Sequence, residues 1–195
     1  MTDEATLAFY EREAPRYTAS TAQGHSRHLD SFLDRLPAGA RILELGCGGG
    51  RDAARMIERG FAVDATDGTV AMVEKARERF GVDARQMCFD ELDAEAEYDA
   101  VWAHASLLHA TREALPTILA RIRRALVPGG WHYANYKLGE GEARDTLGRL
   151  FNFPEVEWLL ATYREAGLEV VETDRYCGSG ADNVARDWLA LTVRR

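Results

Sequence analysis

The chain has 195 residues, the size of one domain able to bury most of the surface its unfolded form exposes. Its 24 basic and 32 acidic residues leave a formal charge of −8, a field that repels phosphate backbones and anionic lipid heads and speaks against nucleic acid or a membrane as partner. Three cysteines, Cys47, Cys88 and Cys177, lack metal-ligand spacing, and His25 and His28 alone make no metal site, so the expectation is a reduced cytoplasmic protein with neither disulfide nor metal.

The first ten residues carry Asp3 and Glu4 and lack the basic start and apolar run of a signal peptide. Nowhere do about 18 apolar residues follow one another, as a membrane span requires. Two helices are predicted first, from Thr6 to about Ala14 and from His25 to Leu36, the second with Leu29, Phe32, Leu33 and Leu36 on one face. Pro37 and Gly39 end it, and Arg41–Leu45 reads as a short apolar strand running into Gly46. Asp52–Arg59 follows as a helix stopped by Gly60, and Phe61–Ala65 as a second strand. The alternation continues with a helix from Thr69 to Phe80, a strand near Ala84–Phe89 and a strand Tyr98–Ala103. Next come a helix from Glu113 to Leu126, closed by Pro128-Gly129-Gly130, and a strand Trp131–Tyr136. Glu155–Ala166 is helical, while Leu168–Thr173 and Trp188–Val193 have only loop between them and are expected to pair as an antiparallel hairpin. With no repeat or Pro-rich linker, residues 1–195 form a single domain. The pattern predicts an α/β fold, a Rossmann-like three-layer αβα sandwich around a seven-stranded, mostly parallel sheet that ends in this hairpin.

The most informative stretch is Glu44-Leu45-Gly46-Cys47-Gly48-Gly49-Gly50, placed between a strand and a helix. Glycines there permit positive φ and close approach of backbone to a ligand, and the helix start offers N–H groups without partners. Asp67, 21 positions after Gly46, ends the second strand, where a carboxylate accepts hydrogen bonds from ribose hydroxyls. Dinucleotides and S-adenosylmethionine both carry that ribose. Counted from Gly46, a G-x-G-x-x-G pattern meets Arg51 at its third glycine. Counted from Gly48 it gives Gly48, Gly50 and Ala53, so an NAD(P)-dependent oxidoreductase stands as an alternative.

Glu44-x-Gly46-x-Gly48-x-Gly50 resembles the first motif of class I S-adenosylmethionine-dependent methyltransferases. The stretch Asp67-Gly68-Thr69-Val70-Ala71-Met72-Val73-Glu74-Lys75-Ala76-Arg77 is similar to the segment that follows their ribose-binding acid. The likeness runs from about Tyr10 to the C-terminus and points to the bacterial small-molecule branch with tellurite-resistance-like and quinone-biosynthesis-like enzymes. It implies S-adenosyl-L-methionine as cofactor, with Gly46, Gly48 and Gly50 along its methionine part and Glu44 below it, near the ammonium. Arg51 and Tyr17 would reach the carboxylate, Asp67 the ribose, and Gly68 and Met72 the adenosine. Phe89-Asp90-Glu91 takes the place of the loop that meets adenine, with Asp90 the candidate for the exocyclic amine. His104, Ala105 and Ser106 would contact the methionine end, and residues 1–36 take the place of the helical cap that relatives fold over the cofactor.

The reaction implied is methyl transfer to a small-molecule acceptor. In-line displacement at a sulfonium asks the protein to align acceptor and methyl and to exclude water, a contribution of about 7–11 kcal/mol that exceeds the roughly 10²–10⁴-fold of one general base. His109 is the candidate base, with His104 beside it at the end of the fourth strand, where open α/β sheets place their ligands. Lys137, Arg144 and Arg149, in the polar glycine-rich stretch after the fifth strand, are candidates for holding an anionic acceptor. Amino-directed DNA methyltransferases resemble Asp/Asn-Pro-Pro-Tyr/Phe where this chain has His104-Ala105-Ser106, and no basic stripe is present. A non-catalytic S-adenosylmethionine-binding module is the other alternative, since one scaffold hosts many activities.

Overall fold

Asp3 starts the first helix: its Oδ2 accepts the Thr6 N–H at 2.9 Å and the Thr6 hydroxyl at 3.0 Å, satisfying a donor that the first turn leaves open. The structure, a computed structural model, describes residues 3–20, 24–180 and 184–195. Helix α1 (Glu4–Ser20) runs on through Pro15, past the end expected near Ala14. A proline inside a helix costs about 3 kcal/mol through the missing hydrogen bond and a steric clash. Here Phe9, Ala14 and Thr18 are buried, the helix packs on the one over Val70–Phe80, and the Thr18 hydroxyl donates to the Ala14 carbonyl at 2.8 Å. Burial of a helix face outweighs the local breaker. Helix α2 (Leu29–Leu33) is shorter than the predicted 25–36. Leu29, Phe32 and Leu33 are buried as expected, but the turn before them is pulled away: the Ser26 N–H donates to Asp52 Oδ1 at 2.9 Å and His25 pairs with Asp30 at 2.9 Å.

The predicted alternation follows as β1 (Arg41–Leu45), α3 (Arg51–Glu58), β2 (Ala62–Asp67), α4 (Val70–Phe80), β3 (Arg85–Gln86), β4 (Tyr98–Ala103), α5 (Leu115–Ala125) and β5 (Leu126–Lys137). A small hairpin of β6 (Glu142–Arg144) and β7 (Leu150–Asn152) stands where a loop was expected, and α6 (Val156–Glu165) leads into β8 (Glu169–Ser179) and β9 (Ala185–Arg194). The main sheet has the order β3-β2-β1-β4-β5-β9-β8, parallel except for β9, which runs against both β5 and β8. The expected C-terminal hairpin is present and enters the sheet by its second strand. Pro128-Gly129-Gly130, expected to stop α5, bulges out within β5: Tyr98 pairs with Leu126 and Ala100 with Trp131, so the residues between have no place in the ladder.

Strand residues alternate between two dry faces, as a buried parallel sheet requires. Leu43, Leu45, Val101 and Ala134 meet α5 and α6, while Ile42, Ala100, Trp102 and Tyr133 meet Leu29, Phe32 and Met56 of α2 and α3. Among the described residues no helix is long and apolar enough to cross a membrane. Because the strand order reverses between β1 and β4, the chain leaves their C-terminal ends in opposite directions and a crevice opens between them.

Candidate functional site

A cavity of about 580 Å³ fills that crevice, within the roughly 300–1,000 Å³ of small-molecule sites. Its floor is the turn after β1. The Gly46 and Cys47 N–H groups both donate to the Thr66 carbonyl, at 2.9 and 2.8 Å, which hooks the turn onto β2. Gly46, Gly48 and Gly50 have φ of 82°, 52° and 81°, a region that side chains rarely adopt. The three serve different ends. A Cβ on Gly46 would meet the Ser106 Cβ at 2.5 Å and one on Gly50 the Ala76 Cβ at 2.8 Å, whereas at Gly48 nothing lies within 4 Å. Gly46 and Gly48 line the cavity. Gly50 does not, and its bare Cα instead lets α3 start against α4, which corrects its expected place along a cofactor.

The floor is acidic. Asp67 Oδ2 accepts the Gly48 N–H at 3.0 Å, and its Oδ1 accepts the Thr69 N–H and hydroxyl, each at 3.0 Å. A carboxylate has about four acceptor sites, so one remains for a ligand. Burial raises the pKa of Asp67 despite these donors. Asp52 accepts hydrogen bonds from the Ser26 N–H at 2.9 Å and from Trp102 Nε1 at 3.1 Å; burial opposes its charge, but His104, Arg51 and Ser26 together leave its pKa lowered. Glu44 is 3% exposed, and its Oε2 has no hydrogen-bond partner among the described residues. Burial pushes the Glu44 pKa well up, and the negative charges of Asp52 and Asp67 push it further. Ser106 Oγ is likewise buried without a partner. Leaving such atoms unpaired costs roughly 1–3 kcal/mol each, a cost that a bound ligand removes. The complement of this floor, with its unpartnered Glu44 oxygen and the spare acceptor site of Asp67, is a positive group bearing hydrogen-bond donors.

Of the other residues expected at the cofactor, Tyr17, Arg51, Gly68, Met72, Phe89, His104 and Ala105 line the cavity. Asp90 and Glu91 do not: the wall there is Met87, Cys88 and Phe89, and Glu91 turns back to accept the Cys88 N–H at 2.6 Å, closing a 3₁₀ turn. The two acidic residues expected near adenine are therefore not among those that line the cavity.

His109 also lines the cavity, but not as an open base. Its Nδ1 lies 2.6 Å from the Leu150 carbonyl, which only accepts, so Nδ1 carries the proton and Nε2 the lone pair. That lone pair is taken by the Tyr10 hydroxyl at 2.9 Å, and burial drops the ring's pKa to about 3. The expected role of His109 as base is corrected on these grounds: it is a neutral clamp on α1. His104 differs. Its ring stacks near Trp102 at 6.1 Å and Tyr133 at 6.3 Å, and its nitrogens make no hydrogen bond among the described residues.

The cations proposed for an anionic acceptor lie elsewhere. Arg144 is exposed and paired with Asp3, Arg149 is buried against Asp145 at 2.6 Å with Tyr10 beside it, and Lys137 is buried over the Phe151 ring at 4.1 Å. None of the three lines the cavity. Residues that the sequence did not single out do so: Tyr10, Arg27, Asn135, Tyr176 and Trp188. They come from α1, the turn before α2, β5, β8 and β9, and no local pattern joins positions so far apart.

The family model described as a methyltransferase domain matches residues 42–130, from β1 to the bulge in β5, a span that includes the glycine turn, Asp67 and the end of β4. Residues 42–130 thus carry a methyltransferase domain, and the chain is similar to the class I S-adenosylmethionine-dependent methyltransferases. Among its methyltransferase relatives, the probable S-adenosyl-L-methionine-dependent methyltransferase TehB of Haemophilus influenzae is 22% identical over 185 residues, 88% of this chain and 64% of that protein. Tenellin synthetase of Beauveria bassiana is 33% identical over 182 residues, 82% of this chain but 4% of that much longer protein. The chain thus spans only a small part of the fungal synthetases it matches. The methyltransferase fold is shared with the 1,6-didemethyltoxoflavin-N1-methyltransferase of Burkholderia thailandensis, at a TM-score of 0.66 and 24% identity over 97% of this chain and 79% of that one. The cofactor of the class, S-adenosylmethionine, is a sulfonium with an ammonium and ribose hydroxyls. The unpartnered Glu44 oxygen, the spare acceptor site of Asp67 and the open face of Gly48 fit it.

Proposed function

We propose that the chain transfers the methyl group of S-adenosylmethionine to a small-molecule acceptor. One observation carries the reading: a buried carboxylate, Glu44, with an unsatisfied oxygen at the floor of a cavity that Asp52 and Asp67 also face. A cationic nucleoside relieves this arrangement, whereas the pyrophosphate of a dinucleotide, seated at the start of α3, would lie against those carboxylates. S-adenosylmethionine supplies a methyl carbon made electrophilic by the adjacent sulfonium. In this reading Glu44 takes the ammonium, Gly46 and Gly48 line the methionine part, and Asp67 accepts from a ribose hydroxyl. Gly68, Met72 and Phe89 pack on the adenosine. Arg51 donates to Ser26 Oγ at 3.0 Å and to Asp52 Oδ1 at 3.4 Å, which leaves guanidinium donors for the carboxylate, with Tyr17 beside it. The chain's contribution to rate is alignment and exclusion of water.

Titration calorimetry with S-adenosylmethionine and, separately, with NADH is expected to give saturable binding of the first and none of the second. A product assay for S-adenosylhomocysteine across small metabolites and chalcogen oxyanions then identifies acceptors. Binding of NADH in place of S-adenosylmethionine would overturn the reading, and tight binding of S-adenosylmethionine without turnover on any acceptor would make the chain a binding module.

The N-terminal helix acts as a cap on this reading. Thr6, Leu7, Tyr10 and Tyr17 of α1 face the cavity, and a Cβ on Gly68 would meet the Leu7 Cδ2 at 2.8 Å, so α1 lies directly on the turn after β2. It is fastened by the Tyr10 hydroxyl, which donates to His109 and accepts from Arg149 at 3.0 Å, and by the Asp3–Arg144 pair, which holds the Asp3 carboxyl at a pKa of about 2. Tyr10→Phe removes the first fastening with little change in volume. Stopped-flow dissociation of S-adenosylmethionine is expected to speed up at least fivefold in this variant, and an unchanged rate would contradict the cap.

A further inference from the structure

Beyond the acidic floor, the same cavity reaches the ends of β4, β5, β8 and β9 and the turn before α2, a side called here its second lobe. It is built by Arg27, His104, Asn135, Tyr176 and Trp188. Tyr176 and Trp188, nearly parallel at 11° and 6.1 Å between centroids, both line the cavity and give it an aromatic wall, and the Trp188 Nε1–H donates to the Gly178 carbonyl at 3.2 Å. The Arg27 guanidinium lies over the Tyr176 ring at 4.6 Å, and no carboxylate among the described residues forms an ion pair with it. The other arginines at the cavity are engaged, Arg51 with Asp52 and Ser26, and Arg79 with the Thr18 carbonyl at 2.6 Å.

One side chain holds this lobe in register with the end of β4. Ala105 has φ 51°, rare for a residue with a Cβ, and marks a bend kept by its surroundings. Its N–H donates to Asn135 Oδ1 at 2.6 Å, which turns Asn135 Nδ2 toward the Tyr176 hydroxyl at 2.9 Å. Asn135 accordingly sets the bend that carries His104 and the ring of Tyr176 together. The Tyr176 oxygen accepts from Asn135 and keeps its own proton to donate. Burial lowers the His104 pKa to about 4, with Asp52 acting the other way, so the ring is neutral at pH 7 and holds an unused lone pair.

We propose that this lobe takes a hydroxylated aromatic acid as methyl acceptor, its ring on the Tyr176–Trp188 wall, its carboxylate on Arg27, and its hydroxyl proton received by His104. This rests on the S-adenosylmethionine reading and names the acceptor class for it. In the step, the acceptor hydroxyl gives its proton to the free His104 nitrogen and its oxygen bonds the methyl carbon. The carbon–sulfur electron pair stays on sulfur, and the imidazolium later loses the proton to solvent. His104 touches the reacting oxygen and is the catalytic residue, while Asn135 is a positioning residue.

The test uses the full chain loaded with S-adenosylhomocysteine and a panel of 3- and 4-hydroxybenzoate, 3,4-dihydroxybenzoate, phenol and cyclohexanecarboxylate, with tryptophan fluorescence as the binding readout. The hydroxybenzoates are expected to saturate at least tenfold more tightly than phenol or cyclohexanecarboxylate. Arg27→Gln is expected to abolish that preference over phenol. With S-adenosylmethionine instead, His104→Asn is expected to lower kcat about 10²–10⁴-fold while KM for the hydroxybenzoate stays within threefold, and Asn135→Ala to lower kcat while removing the preference for planar rings. If S-adenosylmethionine binds but no aromatic acid binds or is methylated, the acceptor class is wrong and the cofactor reading stands. If S-adenosylmethionine itself fails to bind, the reading beneath falls instead. Equal binding of all five compounds, or an unchanged kcat in His104→Asn, overturns the proposal.

Discussion

Gly48→Val is expected to abolish S-adenosylmethionine binding, by at least 100-fold in Kd measured by calorimetry, while the protein stays folded. The glycine sits at φ 52°, where a β-branched residue is strained, but nothing lies within 4 Å of the missing Cβ, so no packed neighbour is displaced. The strain, roughly 1–3 kcal/mol, is a fraction of the 5–15 kcal/mol that typically holds a domain together. The added methyl groups enter cavity space and exclude the ligand. Gly50→Ala is the contrast: its Cβ would lie 2.8 Å from the Ala76 Cβ and 3.0 Å from the Ala76 Cα, so it lowers the thermal midpoint before it touches the site. If Gly48→Val binds normally, or if Gly50→Ala is as stable as the parent, the division between a ligand glycine and a packing glycine is wrong.

Asp67→Ala is expected to weaken S-adenosylmethionine binding by more than tenfold. The carboxylate ties the glycine turn to the start of α4 through Gly48 and Thr69, so part of the loss comes from a loosened floor. Asp67→Asn separates the two parts. Its amide keeps one oxygen, which still serves Thr69, but presents an NH₂ group to Gly48 N–H and to the ligand. It is expected to keep most of the stability and lose affinity nearly as much as the alanine variant. Thermal midpoints and calorimetry on the two variants give the check, and unchanged affinity in both would reduce Asp67 to a cap of α4.

The course of β1, α3, β2, α4 and β4 was legible in the sequence because the elements carry their own period and their own stops, such as Gly60 after α3. The glycine turn and Asp67 were legible for a related reason. The φ values and the close approach of Gly46 to Ser106 are demands on a few consecutive residues, so they leave a local mark. Errors arose where distant contacts outweighed local preference. Helix α1 crosses Pro15 because its face packs on α4, and α2 loses its first turn because Asp52, far along the chain, takes the Ser26 N–H.

The division within the site has the same origin. By itself the sequence determined the sheet, the acidic floor at Glu44 and Asp67, and the family they resemble, since all three lie in short contiguous motifs. Only the tertiary structure decided which histidine has a free lone pair. His104 and His109 sit five positions apart on one strand end, yet Tyr10 and Leu150 occupy the nitrogens of one and leave those of the other open. It likewise decided that Lys137 and Arg149 are buried and spent, and that Arg27 stands with Tyr176 and Trp188. A hydrogen-bond partner is a property of position in space, and when the partners lie about 40 to 100 residues apart no spacing in the chain records it.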